Sequence, residues 1–400
     1  MRILIVNKFL HPNGGSETYI FKLGDELIKQ GHEVQYFGMD HKERVVGNHL
    51  ELYTHNMDFH SGKMQKLLYP FKIIYSHEAA KKIRKVLEDF KPDVVHLNNF
   101  NFQLTPSIIY AVKKYEKVHN HHVRLIYTAH DTQLVCPNHL MQNPRTLECC
   151  DACLEHGVEE CAKRKCIHNS RAKSVLGTIE AKLYKKLKTY RKLDAIICPS
   201  NFLKSKLDSD SVLSKKTVVL RNFVDMPVIK DAVSKEDYVL YFGRFSQEKG
   251  IKTLLKACAD LKDIPFHFAG SGPMEEEIRK LPNTKLCGFL TGEELAREIA
   301  QARFVVFPSE CYENCPFTIM EAQLCQTPVL GSDLGGIPEL VKEGVTGELF
   351  ESGNAQLLKE KIEFLWKHED RLQTYTENCK DVHFDDVGKY VENLMKIYQN

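Results

Sequence analysis

The chain has 400 residues, of which 43% are hydrophobic and 27% charged, and its formal net charge is +2. That length exceeds one ordinary core and predicts two or three domains, while the composition excludes a disordered chain. A charge so near zero confines any basic surface to a region, and no apolar run approaches the ~18 residues that mark a membrane span.

In chain order, Arg2-Ile-Leu-Ile-Val-Asn7 reads as a buried strand with no signal-peptide pattern before it, so the protein is expected in the cytoplasm. A loop ending at Gly14 and Gly15 follows, then a helix from about Ser16, its expected cap, to Gln30, and a strand from Glu33 to Gly38. This strand-helix-strand opening predicts a parallel sheet, and the missing Gly-x-Gly-x-x-Gly argues against a dinucleotide oxidoreductase. Residues 60–92 interleave lysines, among them Lys63, Lys66 and Lys72, with Leu67, Leu68, Tyr69 and Phe71. Such a segment is either a solvated helix face or a surface for an anionic membrane.

Asp93-Val-Val-His96-Leu-Asn-Asn99 and Arg124-Leu-Ile-Tyr-Thr-Ala-His130-Asp131 read as strands with polar residues at their carboxyl ends, where open parallel sheets hold ligands. His96, Asn99 and His130 are there either hydrogen-bonded structural residues or ligand contacts. Six of the thirteen cysteines then crowd between Cys136 and Cys166, in an insertion-like stretch over residues 136–168. Cys150 and Cys153 have the bite of a thiolate metal site, and Cys161 with Cys166 would complete four ligands around a structural zinc; the alternative is a set of reduced thiols. The sequence shows no acidic pair at a strand end that demands a catalytic metal.

From Lys163 to Lys192 there are eleven Lys and Arg against one acid, Glu180. Within that run Leu176, Ile179, Leu183, Leu187 and Tyr190 recur at helical spacing, predicting an amphipathic helix over 173–192 whose apolar stripe faces the core and whose basic face can meet a bilayer. Strands over 194–199 and 217–221 follow, then an interdomain passage over 222–237. Tyr238-Val-Leu-Tyr-Phe-Gly243 starts a second strand-helix series, continued at 265–270 and 285–288. Two doubly wound units of this kind predict an α/β fold with residues 1–222 as one domain, 223–383 as a second, and an amphipathic segment over 384–400 crossing back to the first.

The richest stretch comes late. Arg303-Phe-Val-Val-Phe-Pro308 reads as a buried strand and Phe317-Thr-Ile-Met-Glu-Ala-Gln-Leu-Cys325 as a helix with Pro316 at its first turn. Glu313 and Glu321 sit at this strand-to-helix turn, too far apart to share a proton and well placed to touch two ends of one extended ligand. The first amides of the helix lie between them and favour an anion. Taken alone, both acids read as solvated surface residues.

Around that pair stand Gly243-Arg-Phe-Ser-Gln-Glu-Lys249-Gly250, Ala269-Gly-Ser-Gly-Pro273, Gly335-Gly-Ile-Pro-Glu339 and Gly344-Val-Thr-Gly347. With two glutamates separated by seven residues, these motifs over 236–350 resemble glycosyltransferase family 4, the retaining nucleotide-sugar transferases of GT-B fold. The resemblance implies two Rossmann-like domains facing across a cleft, a nucleoside-diphosphate sugar as donor, and a glycan or lipid-linked acceptor, in surface polysaccharide biosynthesis. It implies that Glu321 holds the ribose, that Glu313 serves the donor sugar, and that Arg244 and Lys249 stabilise the departing phosphate. Asn314, Pro316, Phe317 and Thr318 would meet the sugar and phosphate. Gly243, Gly270 and Gly272, with Gly14 and Gly15, would let the backbone approach the donor, and His130 would touch the sugar near its reacting carbon. His96 and Asn99 fall on the acceptor side. Rival readings are a nucleotide-sugar epimerase or a phosphorylase on the same fold, and, from another class, a zinc-stapled nucleic-acid-binding protein, whereas the family reading involves no nucleic acid.

Overall fold

A computed structural model describes residues 1–55, 72–227 and 233–400. The expected contributions of Lys63, Lys66, Leu67, Leu68, Tyr69 and Phe71, and the middle of the expected interdomain passage at 228–232, lie outside the described residues. The chain divides into two compact units. One comprises residues 1–144, 150–222 and 387–400; the other comprises 145–149 and 223–386.

The first unit is built on six strands: β1 (Arg2–Val6), β2 (Glu33–Phe37), β3 (Val94–Leu97), β4 (Arg124–Thr128), β5 (Ala195–Cys198) and β6 (Thr217–Val219). Their order is β2-β1-β3-β4-β5-β6, and every pairing is parallel. Leu4, Val6, Val95, Leu97, Leu125, Tyr127, Ile196 and Cys198 share one core with the helices His77–Phe90 and Ser107–His119. The helix Gly15–Lys29 packs against the last helix, Val387–Gln399. Tyr19 and Tyr390 join their hydroxyls at 2.7 Å there.

The second unit repeats the plan with β7 (Val239–Arg244), β8 (Phe266–Ser271), β9 (Thr284–Gly288), β10 (Phe304–Phe307), β11 (Val329–Ser332) and β12 (Gly347–Phe350), in the order β12-β11-β10-β7-β8-β9. Alternate residues feed two cores: Val239, Tyr241, Phe268 and Val306 on one face, Leu240, Phe242, Ala269 and Val305 on the other. A parallel sheet covered on both faces needs such unbroken apolar runs. In each sheet the chain extends one way from its first strand and then returns to that strand's other side. The switch points fall between β1 and β3 and between β7 and β10, and their carboxyl ends are where an open α/β sheet holds ligands.

Three expectations are corrected. Ser16 does not cap its helix, because the helix already begins at Gly15 behind Gly14; its hydroxyl donates instead to Glu17 at 3.0 Å. Pro316 is the extended residue just before the helix Phe317–Leu324 and not its first helical residue. The basic helix runs over Arg171–Lys186 and breaks near Lys188, whose φ is +49°, before a 3-10 turn at Thr189–Lys192. Its buried face consists of Ser174, Gly177, Thr178 and Tyr184, and the predicted core stripe is largely outward, with Ile179 49%, Leu183 37% and Leu187 51% exposed. Small residues let this helix approach the body of the unit closely, which turns the larger apolar side chains to solvent. Among the described residues no helix is long and apolar enough to cross a membrane.

Candidate functional site

In the second unit, β7 ends at Gly243 and Arg244, and its return loop carries Lys249 in a short 3-10 turn. On the adjacent strand, β10 runs out at Phe307 and the chain continues through Ser309 and Glu310 to Glu313. Lys249 Nζ meets Glu313 Oε1 at 2.5 Å, and the Ser309 hydroxyl donates to the same oxygen at 2.8 Å. Burial alone would lower the Lys249 pKa, but the Glu313 carboxylate overcomes that and leaves it raised. Lys249 is therefore held charged. Arg244 stands exposed at the strand end and forms no ion pair with any described residue.

Glycines set the backbone around these charges. Gly270, at φ +139°, pairs with Gly243 across the β7–β8 ladder, and a Cβ on it would come within 2.0 Å of the Gly243 carbonyl. Gly272 follows in the same loop, packed on the backbone of Phe245. On the other side, the Gly336 amide donates to the Glu313 carbonyl at 2.7 Å, and a Cβ on Gly336 would meet the Asn314 carbonyl at 1.9 Å. The turn bearing Glu313 and Asn314 is thus pinned by a backbone that only glycine permits.

Beyond that turn, Pro316 is buried, Phe317 and Thr318 are half-buried, and the helix Phe317–Leu324 starts without a side-chain cap. Its first amides and positive dipole end suit an anion. Glu321 lies half-buried one turn further along the helix. Arg244, Lys249, Glu313 and the helix start are thus gathered at the β7–β10 switch point.

In the first unit, a second polar cluster occupies the carboxyl ends of β1, β3 and β4. Asn7 Nδ2 donates to Glu17 at 2.8 Å, Asn99 Nδ2 donates to Ser16 at 2.8 Å, and the Asn99 amide donates to Asn7 at 3.0 Å. Gly14 and Gly15 are exposed at the helix start beside them. His130 is half-buried, and its Nε2–H donates to Asn98 Oδ1 at 2.9 Å. Burial depresses its pKa to about 4 against the opposing pull of Asp131, so the ring is neutral at neutral pH.

His96 is a correction. It is fully buried, with Nδ1 bonded to the Tyr398 hydroxyl and Nε2 to the Thr128 hydroxyl, both at 2.7 Å, and burial lowers its pKa to about 3. A ring with both nitrogens satisfied inside the core ties the last helix to the sheet and offers nothing to an acceptor. Sequence reasoning missed Asn7, Glu17 and Asn98. The polar ends of β1 and β3 were a signal for the two asparagines, whereas Glu17 looks like an ordinary first-turn acid and its burial shows only in the fold.

Among the described residues, His267, Cys287 and Glu298 have ligand atoms within 4.8 Å of one another. Their hydrogen bonds are internal: Glu298 accepts from His267 at 2.6 Å and from Cys287 at 3.4 Å. The trio reads as a closed polar network on the β8–β9 side of the sheet, away from the switch point.

The family model described as Glycosyltransferase Family 4 matches residues 13–226, and that described as Glycosyl transferases group 1 matches residues 225–382. An uncharacterized glycosyltransferase of Methanocaldococcus jannaschii is 29% identical over 221 residues, covering 54% of this chain and 61% of the relative. An uncharacterized protein from a cps region of Klebsiella pneumoniae is 25% identical over 360 residues, 85% of this chain and 87% of that one. The sucrose-phosphate synthase of Thermosynechococcus elongatus shares the fold, with a TM-score of 0.69 at 16% identity over 100% of this chain and 98% of its own.

Proposed function

The chain belongs to glycosyltransferase family 4, and from that premise we propose that it moves a sugar, with retention of anomeric configuration, from a nucleoside-diphosphate donor to a glycan or lipid-linked acceptor in polysaccharide biosynthesis. The observation that carries this reading is the Lys249–Glu313 pair at 2.5 Å, with Arg244 exposed at the end of the adjoining strand and the helix Phe317–Leu324 starting without a side-chain cap. As the sugar leaves its diphosphate, negative charge collects on the phosphate, and a catalyst must meet it with charge already in place. Glu313 keeps Lys249 protonated and oriented before the donor arrives, so little reorganisation accompanies the reaction. Arg244 supplies the second cation, the first-turn amides around Phe317 and Thr318 take phosphate or sugar oxygens, and Glu321 holds the ribose hydroxyls.

A panel of nucleoside-diphosphate sugars screened by thermal shift, followed by product analysis with the best binder, tests the assignment. Arg244→Ala is expected to slow transfer more than ten-fold, since losing a charged contact to a developing anion costs about 2–4 kcal/mol. Glu321→Ala should weaken nucleotide binding. Unchanged behaviour in both variants would refute the site, and an epimerised sugar nucleotide with no transfer would favour the rival chemistry.

The acceptor side of this reading places the protein on the inner face of a cell membrane as a peripheral, cytoplasmic enzyme. The support is the outward stripe of Val175, Ile179, Leu183 and Leu187, spaced one helical turn apart and flanked by Lys182, Lys185, Lys186 and Lys188. Apolar insertion with lysines at the headgroups is how an amphipathic helix lies on an anionic bilayer. Co-sedimentation with phosphatidylglycerol vesicles should be strong at low salt and weakened by Leu183→Ser with Leu187→Ser; equal retention of wild type and variant would remove the membrane role of this helix.

A further inference from the structure

Outside the proposed active site, the structure gathers four of the thiols of the 136–168 stretch. Cys136, Cys153, Cys161 and Cys166 converge on one small cavity. Cys136, Cys161 and Cys166 are buried, and none of the four is in a disulfide. That cavity, of about 10 Å³, is lined by these four residues together with Cys150, Arg164, Asn138, Met141, Gln142 and Ala152, so five of the ten residues around it are cysteines. Its volume holds one water or one ion and nothing larger.

We propose that Cys136, Cys153, Cys161 and Cys166 bind one structural zinc ion. The assignment differs from the sequence expectation in one ligand, with Cys136 taking the place of Cys150. No spacing rule could suggest it, because Cys136 reaches the site through a loop sixteen residues long. Cys150 lies half-buried at the rim of the cavity beside the Arg164 guanidinium. Cys149 belongs to the other unit, where its thiol donates to the Glu310 carbonyl at 3.8 Å.

Three features of the surroundings suit a tetrathiolate. Four thiolates around Zn²⁺ carry a net charge of −2, and Arg164 at the cavity wall offsets part of it. The helices that carry Cys153 and Cys161, Ala152–His156 and Glu159–Arg164, are five and six residues long, too short to hold themselves in place. His139, Met141, Lys165, His168 and Asn169 around them all have positive φ, a conformation that costs energy outside glycine and persists only under an external constraint. A metal cross-link is that constraint. Binding would release the thiol protons to solvent and draw the four sulfurs onto one centre.

The test uses the full chain, purified under reducing conditions without chelator. Elemental analysis should find about one zinc per chain in the wild type and in Cys150→Ser, and several-fold less in Cys136→Ser, Cys153→Ser, Cys161→Ser and Cys166→Ser. If the single variants do not fold, the wild type still answers: a mercurial that titrates thiolates should release one zinc, read with a metallochromic dye, and cobalt substitution should give the visible bands of a tetrahedral thiolate site. Zinc content near zero with no uptake from added zinc overturns the proposal. So does zinc retained by Cys136→Ser and lost from Cys150→Ser, or peptide mapping that finds Cys136–Cys153 and Cys161–Cys166 as disulfides in the native protein.

Discussion

Histidine chemistry in the first unit is set by burial of single rings. Both His96 and His130 are kept neutral, with pKa values depressed to about 3 and about 4 from an ordinary 6.5. A folded pKa below the unfolded one means that the unfolded chain binds protons first, so the stability these rings contribute is complete above pH 6.5 and is lost as pH falls toward 4. Two such groups give a slope of up to about 2.7 kcal/mol per pH unit, less in practice because His130 keeps some contact with solvent. Urea midpoints of the first unit measured from pH 7 to 5 should fall accordingly, and His96→Phe with His130→Asn should flatten the dependence. The same residues mark what a sequence can say. His96 and His130 look alike as strand-end histidines, yet one is sealed by Tyr398 and Thr128 and the other is left at the rim. The partner that decides the case lies 302 positions away.

Elements carry the next set of consequences. The turn that presents Glu313 is held by a neighbouring turn through Gly336, whose missing side chain is filled by the Asn314 carbonyl. Gly336→Ala should leave the sheet intact and displace that carbonyl, moving Glu313 and with it the Lys249 charge. A shift of about 1 Å in a positioned group can cost on the order of 100-fold, so kcat/KM should fall by roughly ten- to a hundred-fold while far-ultraviolet circular dichroism is unchanged. The strand-turn-helix frame of this site was legible because Phe304-Val-Val-Phe307 is apolar throughout, as a strand buried on both faces must be. β12 was not, because it contains Glu348, a buried acid bonded to Tyr375 and Lys361 that interrupts the apolar run. Helical period likewise revealed the stripe at Ile179, Leu183 and Leu187 but could not say which way it points. That was settled by Gly177 and Ser174, whose small size favours the opposite face for packing.

For the molecule as a whole, two sheets of the same parallel design each place polar residues at the carboxyl ends of their switch strands. Alternating strands and helices made that design readable, whereas the route of the last segment depends on contacts that local pattern does not encode. The helix Val387–Gln399 completes the first unit: Tyr390 meets Tyr19, Tyr398 meets His96, and the Arg124 guanidinium donates to the Ile397 carbonyl at 3.1 Å. Removing residues 387–400 should therefore expose the first unit to proteolysis and hydrogen exchange while the 223–386 unit keeps its protection. Equal loss in both units, or in neither, would contradict this division of the chain.

That helix also imposes a schedule on biosynthesis. A ribosome that has finished residue 222 must still add about 165 more before residue 387 emerges, roughly 10 to 30 s at ordinary elongation rates. Throughout that interval Tyr19 lacks Tyr390 and His96 lacks Tyr398, and the side of the helix Gly15–Lys29 that the last helix covers stays bare. The first half of this polypeptide is thus made first and finished last, and its exposed apolar flank is the surface on which a chaperone would act.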